Sequence, residues 1–243
     1  MRPLSAVELL EIWERGITHS AVERTLALLA AAHGEALLEA LAHLSIGQRD
    51  ALLLTLREWT FGPRFVGLAT CPACGERLEL TVEAADLRVA AVAEATGELS
   101  VQVADYTVRF RLPTSLDVAI CGGGDLEHVR DALLQRCILQ IQRAGVETSS
   151  EPLPTAVVEA IVSRMAEVDP QADVQLALTC PQCSHRWQAC FDIGAYFWCE
   201  IDAWAQRTLR EVHILASHYG WREMDILAMS ARRRQWYLNL VHG

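Results

Sequence analysis

The chain has 243 residues, of which 51% are apolar and 21% charged, a globular balance that excludes wholesale disorder. Its 31 acidic against 21 basic residues leave a formal charge of −10, and every basic residue is Arg because the chain has no Lys. Such a surface repels phosphate, which argues against a duplex-binding module and against a basic membrane-docking face.

Residues 1–62 read as a helical bundle. Ser5-Ala-Val-Glu8, Ser20-Ala-Val-Glu23 and Ser45-Ile-Gly-Gln48 each match the capping box, in which the Ser hydroxyl and the Glu or Gln side chain satisfy one another's backbone N–H groups. An apolar-periodic run follows each: Leu9, Leu10, Ile12 and Trp13, then Leu26, Leu28 and Leu29, then Leu52, Leu53 and Leu56. Gly16, Gly34 and Gly62-Pro63 supply stops. Glu8, Glu11 and Glu14 interrupt any leader-like pattern, and apolar runs such as Leu26–Ala32 fall far short of the ~20 residues of a membrane span. The expected location is therefore cytoplasmic.

After Pro63 the period changes from 3.6 to 2. Leu78, Leu80 and Val82 alternate with charged and polar neighbours, and Leu99–Leu112 alternates in the same way, predicting a hairpin that turns near Ala104-Asp105. Pro113 ends this strand, and a short helix is expected over Thr114–Cys121. Helix is expected over Asp125–Ala144, with Leu126, Val129, Leu133, Cys137 and Ile141 on one face, and again over Thr155–Val168. Val146–Pro154, with Ser149, Ser150, Pro152 and Pro154, is the most linker-like segment. Strands return at Val174–Leu178 and Trp187–Phe191, and Ala195–Val241 reads as helix broken around Gly220.

The most specific signal is a repeat. Leu68-Ala-Thr-Cys-Pro-Ala-Cys-Gly-Glu-Arg parallels Leu178-Thr-Cys-Pro-Gln-Cys-Ser-His-Arg, each reading strand, Cys-Pro-x-Cys, strand. Two residues between cysteines let both thiolates of one tight turn reach one ion, and two such knuckles complete a tetrahedral zinc site. The halves of a zinc ribbon usually lie ~15–20 residues apart, whereas 105 residues separate Cys74 from Cys180, so a segment is inserted between them. The expected ligands of one structural zinc are Cys71, Cys74, Cys180 and Cys183, with His185 or Cys190 as outside replacements. A redox Cys-x-x-Cys would not be duplicated with matching strands. A catalytic zinc needs an open position that four cysteines do not leave. Cys121, Cys137, Cys190 and Cys199 read as small buried hydrophobes.

Other constellations favour structure over chemistry. Gly122-Gly123-Gly124 lacks the Lys that a phosphate loop requires. His213 and His218 stand five apart, off the i, i+4 spacing of a helical metal pair, and no nucleophile motif is present. No enzyme is expected. Ala231–Val241 reads as a basic and aromatic helix whose Trp236, Tyr237 and Leu240, with Arg233, make a docking face, Trp236 turning inward and Tyr237 outward. Arg232, Arg233 and Arg234 would form a polar rim.

These readings assemble into an α+β, mostly helical chain: bundle 1–62, split zinc ribbon 63–83 and 171–193, inserted β-hairpin and helices 84–170, and C-terminal helices 194–243. Ala51-Leu-Leu-Leu-Thr-Leu-Arg-Glu-Trp-Thr-Phe-Gly-Pro63, the two Cys-Pro-x-Cys hairpins, Val108-Arg-Phe-Arg-Leu-Pro-Thr-Ser-Leu-Asp117 and the tail from Glu211 through Ala-Ser-His-Tyr-Gly-Trp221 to Tyr237-Leu238 resemble the T4-like phage baseplate family of hub assembly proteins. Relatives of that family belong to phage-tail-like contractile injection systems. The resemblance runs from about Leu52 to Val241. It implies a non-enzymatic assembly factor or structural subunit with baseplate or tail proteins as partners, without nucleic acid or membrane, built in the cytoplasm or incorporated into a tail-like particle. The competing class is a zinc-ribbon adaptor acting on nucleic acid or a transcription-type partner, which salt-sensitive DNA or RNA retention would separate.

Overall fold

A computed structural model describes residues 1–34, 37–89, 97–121, 125–148 and 153–242. Gly122–Gly124 and the middle of the linker-like segment, Ser149–Pro152, lie outside the described residues.

Helices α1 (Ala6–Gly16), α2 (Ala21–His33) and α4 (Ile46–Phe61) begin at Ser5, Ser20 and Ser45, and all three capping boxes form with both reciprocal bonds. A short α3 (Leu38–Ala42) lies between the last two. Leu9, Leu28, Leu29, Leu53 and Leu56 turn inward and meet the long α9 (Ile193–Tyr219) through Phe197 and Ile201. Burial of this stripe, at roughly 25 cal/mol per Å² of apolar area, holds the frame. The close approach needs Gly16, where a Cβ would lie 2.2 Å from the Trp198 ring.

Two antiparallel hairpins follow from the alternating segments. β1 (Arg64–Thr70) pairs with β2 (Arg77–Glu83), and β7 (Val174–Thr179) pairs with β8 (Arg186–Phe191), each as a separate two-stranded sheet. Their apolar faces meet at the base, where the Phe65 and Phe191 rings lie edge to face at 5.9 Å. Phe65 and Val174 join the frame's core, and Leu87 of the short α5 (Ala84–Leu87) closes it.

The inserted segment is richer in strand than its sequence suggests. β3 (Leu99–Val103) and β4 (Tyr106–Phe110) turn at Ala104-Asp105 as expected, with Ala104 taking a left-handed φ of 52°. The helix expected over Asp125–Ala144 stops earlier: α7 spans Leu126–Cys137, and Ile138–Arg143 forms β5. Its β-branched Ile138 and Ile141 pair with Phe110 and Val108 on the open edge of β4, so sheet pairing overrides a period that also fits helix. Ala144-Gly145, both at positive φ (51° and 81°), then turn the chain into β6 (Val146–Glu147). Helix α8 (Thr155–Val168) covers this four-stranded sheet, burying Val157 and Ile161 against Val108 and Phe110 in a second core. α6 (Ser115–Cys121) precedes α7.

Three polar ties join the insertion to the frame. Thr114 bridges Ser45, with Ile46 N–H donating to the Pro113 carbonyl at 3.2 Å. Gly47 N–H donates to Asp169 at 2.9 Å. The buried Gln171 side chain accepts from Val89 N–H (2.8 Å) and donates to the Leu87 carbonyl (3.1 Å). Beyond Gly220, in the left-handed conformation of a helix C-cap, α10 (Glu223–Leu227) and α11 (Ala231–His242) fold back on α9 in a third core that includes Leu10, Leu215, Ile226 and Leu238. Among the described residues no helix is long and apolar enough to cross a membrane.

Candidate metal centre

Each hairpin ends in a knuckle built by the same bonds. Cys71 N–H donates to the Glu76 carbonyl at 2.8 Å and Gly75 N–H to the Cys71 carbonyl at 2.9 Å. In the other hairpin Cys180 N–H donates to the His185 carbonyl and Ser184 N–H to the Cys180 carbonyl, both at 2.9 Å. The fifth position takes a left-handed φ in both, 76° at Gly75 and 59° at Ser184. Nothing lies within 4 Å of a Cβ at Gly75, so the glycine serves the backbone angle rather than space.

The fold brings the two tips together. All four Sγ atoms of Cys71, Cys74, Cys180 and Cys183 lie within 4.8 Å of one another. Cys71 faces Cys183 at 3.7 Å, and Cys74 faces Cys180 at 3.6 Å. These separations far exceed the ~2.05 Å of a disulfide. They match the edge of a tetrahedron whose metal–sulfur bonds are ~2.3 Å, which is ~3.8 Å. Cys71 and Cys180 are buried and Cys74 and Cys183 exposed, so the cluster straddles the surface.

The electrostatics fit a cation. Burial raises the Cys71 thiol, but the N–H groups of Cys74 and Ala73 and the neighbouring thiols overcome it and bring Cys71 down to about 7. At Cys74 the Glu76 N–H favours the thiolate, yet Cys183, burial, Cys180 and Cys71 together push it up to about 12. Four sulfurs this close cannot all shed their protons unless a positive charge sits among them. Four cysteines can hold such an ion, with no carboxylate or imidazole in the group. An S₄ tetrahedron suits zinc or iron and is closed to substrate.

The outside replacements lie elsewhere. His185 contributes its carbonyl to the turn while its ring stacks on Trp187 at 6.0 Å. Cys190 is exposed on β8 with its sulfur 4.0 Å from Asp173. Cys199 is exposed too, so only Cys137 of the four remaining cysteines is a buried hydrophobe, with Cys121 half-buried. Cys190 points away from the core side of a two-faced strand, and Cys199 lies on the outer face of α9.

The α11 face is also rearranged. Trp236 is 68% and Leu240 59% exposed, whereas Tyr237 is half-buried against Tyr219 and Trp221. Trp236 therefore points outward, contrary to expectation, because Leu238 and Arg234 take the side facing α9. Arg234 is buried, donating to Glu211 at 3.0 Å and to the Met229 carbonyl at 2.9 Å, so only Arg232 and Arg233 are free to form a rim.

Two polar anchors escape sequence reading. Arg57, 2% exposed, chelates Glu200 with bonds of 2.7 and 2.6 Å, donates to the Gly62 carbonyl, and lies 3.7 Å over the Phe65 ring. It seats the root of β1 between α4 and α9, and Tyr196 adds bonds to both backbone groups of Val66. Asp117 accepts from Arg111, Arg136 and both donors of Thr114. The Arg111 guanidinium foremost holds its carboxyl well below the usual range, burial notwithstanding. A cavity of about 830 Å³ opens between α1, α2, α3 and α6 with an alkyl floor that includes Ala27, Ala30 and Ala31.

A helical frame with an inserted sheet, closed by a four-cysteine cluster able to hold one metal ion, is a structural scaffold class. The chain belongs to the family described as T4 bacteriophage base plate protein, whose model matches residues 21–198. The match takes in α2, α3 and α4 as well as both knuckles. It ends before the Glu211–Leu238 tail motifs that also carry the resemblance. No curated protein and no solved structure matches the chain.

Proposed function

We propose that this baseplate-family protein is a non-enzymatic structural subunit or assembly factor of a contractile phage tail or phage-tail-like injection system. It carries one structural zinc on Cys71, Cys74, Cys180 and Cys183. The observation that carries the reading is the duplicated knuckle: identical turn bonds, 109 positions apart, converge on one S₄ group in a chain that belongs to a baseplate family. Zinc, when bound, supplies cross-linking and charge compensation. The chain's own residues position the sulfurs through the two knuckle turns and through Phe65 and Phe191 at the hairpin bases. On this reading the units are the bundle 1–62, the split ribbon 63–83 and 171–193, the insertion 84–170 and the helices 194–243. The protein is made in the cytoplasm and passes into the particle, with baseplate or tail proteins as partners and neither nucleic acid nor membrane. The test is elemental analysis of the purified chain together with mass spectrometry of tail particles from the source organism. One zinc per chain and the protein's presence in particles or assembly intermediates are expected. A metal-free chain, or normal tails in a deletion strain, overturns the proposal.

A further inference from the structure

Helix α11 has two unlike sides. Arg234 and Leu238, four residues apart, are buried toward α9. On the other side Arg232, Arg233, Trp236 and Leu240 are all exposed. Their i, i+3 and i, i+4 spacing puts them in one stripe, two cations followed one turn on by an indole and then an isobutyl group. Tyr237 borders the stripe and is held rigid from behind, 4.8 Å from Trp221 and 5.9 Å from Tyr219, which themselves stack at 4.5 Å. Between Ser230, Arg232, Arg233, Trp236 and Tyr237 a concavity of about 300 Å³ opens.

The charge of the stripe selects its occupant. Arg234 has Glu211, but no ion pair to a described residue engages Arg232 or Arg233. Both lie in the first turn of a twelve-residue helix, where the macrodipole adds to their field. On a chain of charge −10 this is a locally positive, aromatic-lined site. Two guanidinium forks take carboxylates bidentately, while Trp236 and Leu240 offer apolar contact one turn further along. A rigid aromatic beside Arg is the composition of interface hot spots. A long polyanion is disfavoured, because Glu223 and Asp225 open α10 just after Trp221, whose ring packs on Tyr237. We propose that the α11 stripe docks an acidic amphipathic segment of another tail protein, with carboxylates on Arg232 and Arg233 and an apolar side chain against Trp236 and Leu240. The source of that segment rests on the baseplate reading given above.

The test uses the full purified chain and a fluorescein-labelled helical peptide carrying Glu with Leu at i+4, followed by fluorescence anisotropy. Controls are a scrambled peptide of the same composition and a single-stranded oligothymidine. The helical peptide should bind and the scrambled peptide should bind at least tenfold more weakly. R232E/R233E and W236A should each weaken binding at least tenfold at an unchanged melting temperature, and R232E/R233E should gain binding to a further peptide with Lys in place of each Glu. Absence of binding, or equal binding by the variants, overturns the inference. So does oligothymidine that binds as tightly and loses affinity in R232E/R233E, which makes the stripe a nucleic-acid element. In tail particles the two proposals separate. If wild type is absent from particles and assembly intermediates, the baseplate proposal fails whatever the peptide does. If wild type is present and R232E/R233E enters equally well, the docking inference alone fails.

Discussion

Replacing Cys71 or Cys180 by Ser removes one corner of the sulfur tetrahedron and should release the two knuckles from each other. Among the described residues the hairpins share no strand pairing, so above their apolar base a metal on the four cysteines would be the link between their tips. A metal link between Cys74 and Cys180 would close a loop spanning 105 intervening residues. A cross-link over ~100 residues stabilises by about 4.7 kcal/mol in the chain-entropy account. At ~2–4 °C per kcal/mol for a chain of this size, that corresponds to a fall of about 10–20 °C in melting temperature. Scanning calorimetry of wild type, chelator-treated wild type, C71S and C180S measures it, with the exposed Cys190→Ser and Cys199→Ser as controls expected to melt like the parent. Cobalt substitution adds a check independent of stability, since four thiolates give tetrahedral thiolate-to-cobalt absorption that C71S should lose. The reasoning is refuted if chelation and both variants leave the transition within about 2 °C of wild type, at most about 1 kcal/mol on the same scale.

Three other substitutions probe the anchors around the site. Glu200→Ala leaves the Arg57 guanidinium buried without its carboxylate. It should cost about 3–5 kcal/mol in urea unfolding, the usual penalty for stranding one member of a buried pair. Gly47→Ala places a Cβ 2.1 Å from Asp169 Oδ1 and 2.9 Å from the Ala172 nitrogen. An overpacking cost of about 1–3 kcal/mol should appear as a lower denaturant midpoint. Because Arg111 lowers the folded-state pKa of Asp117, its contribution is full above the unfolded value near 4 and is lost as pH falls toward the depressed folded value. Asp117→Asn should therefore destabilise at pH 7 and flatten the acid limb of the stability curve between about pH 4 and 2. Equal acid sensitivity in both proteins would show that Asp117 does not carry it.

What the sequence reveals here follows from how local each cause is. The capping boxes at Ser5, Ser20 and Ser45 are decided within four residues, and all three form. The cysteine cluster is not local, yet it was legible because the same knuckle is written twice and tetrahedral coordination demands that the copies meet. The Arg57–Glu200 pair leaves no such trace: its partners stand 143 positions apart and neither belongs to a repeat. Strand β5 was hidden for a different reason. Leu133, Cys137 and Ile141 fit a helical period, and only the open edge of β4 decides that the chain straightens at Ile138. The face of α11 was misread because two stripes compete on it, Arg234 with Leu238 and Trp236 with Leu240. Spacing cannot say which one faces α9, and the side that pairs Arg234 with Glu211 prevails.

The inserted segment shows what a metal held by the four cysteines would do there. Residues between the knuckles bury a core of their own, Val108, Phe110, Val157 and Ile161, separate from that of the frame. A segment with a separate core keeps its place on the frame through the contacts at its edges. The polar ties at Ser45–Thr114, Gly47–Asp169 and Gln171 fix one side. Each is worth about 1 kcal/mol net, or somewhat more where a carboxylate is involved, and each sits near the start of α4. The cysteine cluster lies instead at the far tips of the hairpins that flank the insertion, and a metal bound there holds the entry and exit strands at a fixed separation. Weak contacts at one end and a strong link at the other restrain rotation in a way that neither achieves alone. That arrangement suits a component whose neighbours are placed by its shape. It also gives removal of a bound metal a particular signature: the insertion's core should unfold in a transition separate from that of the frame.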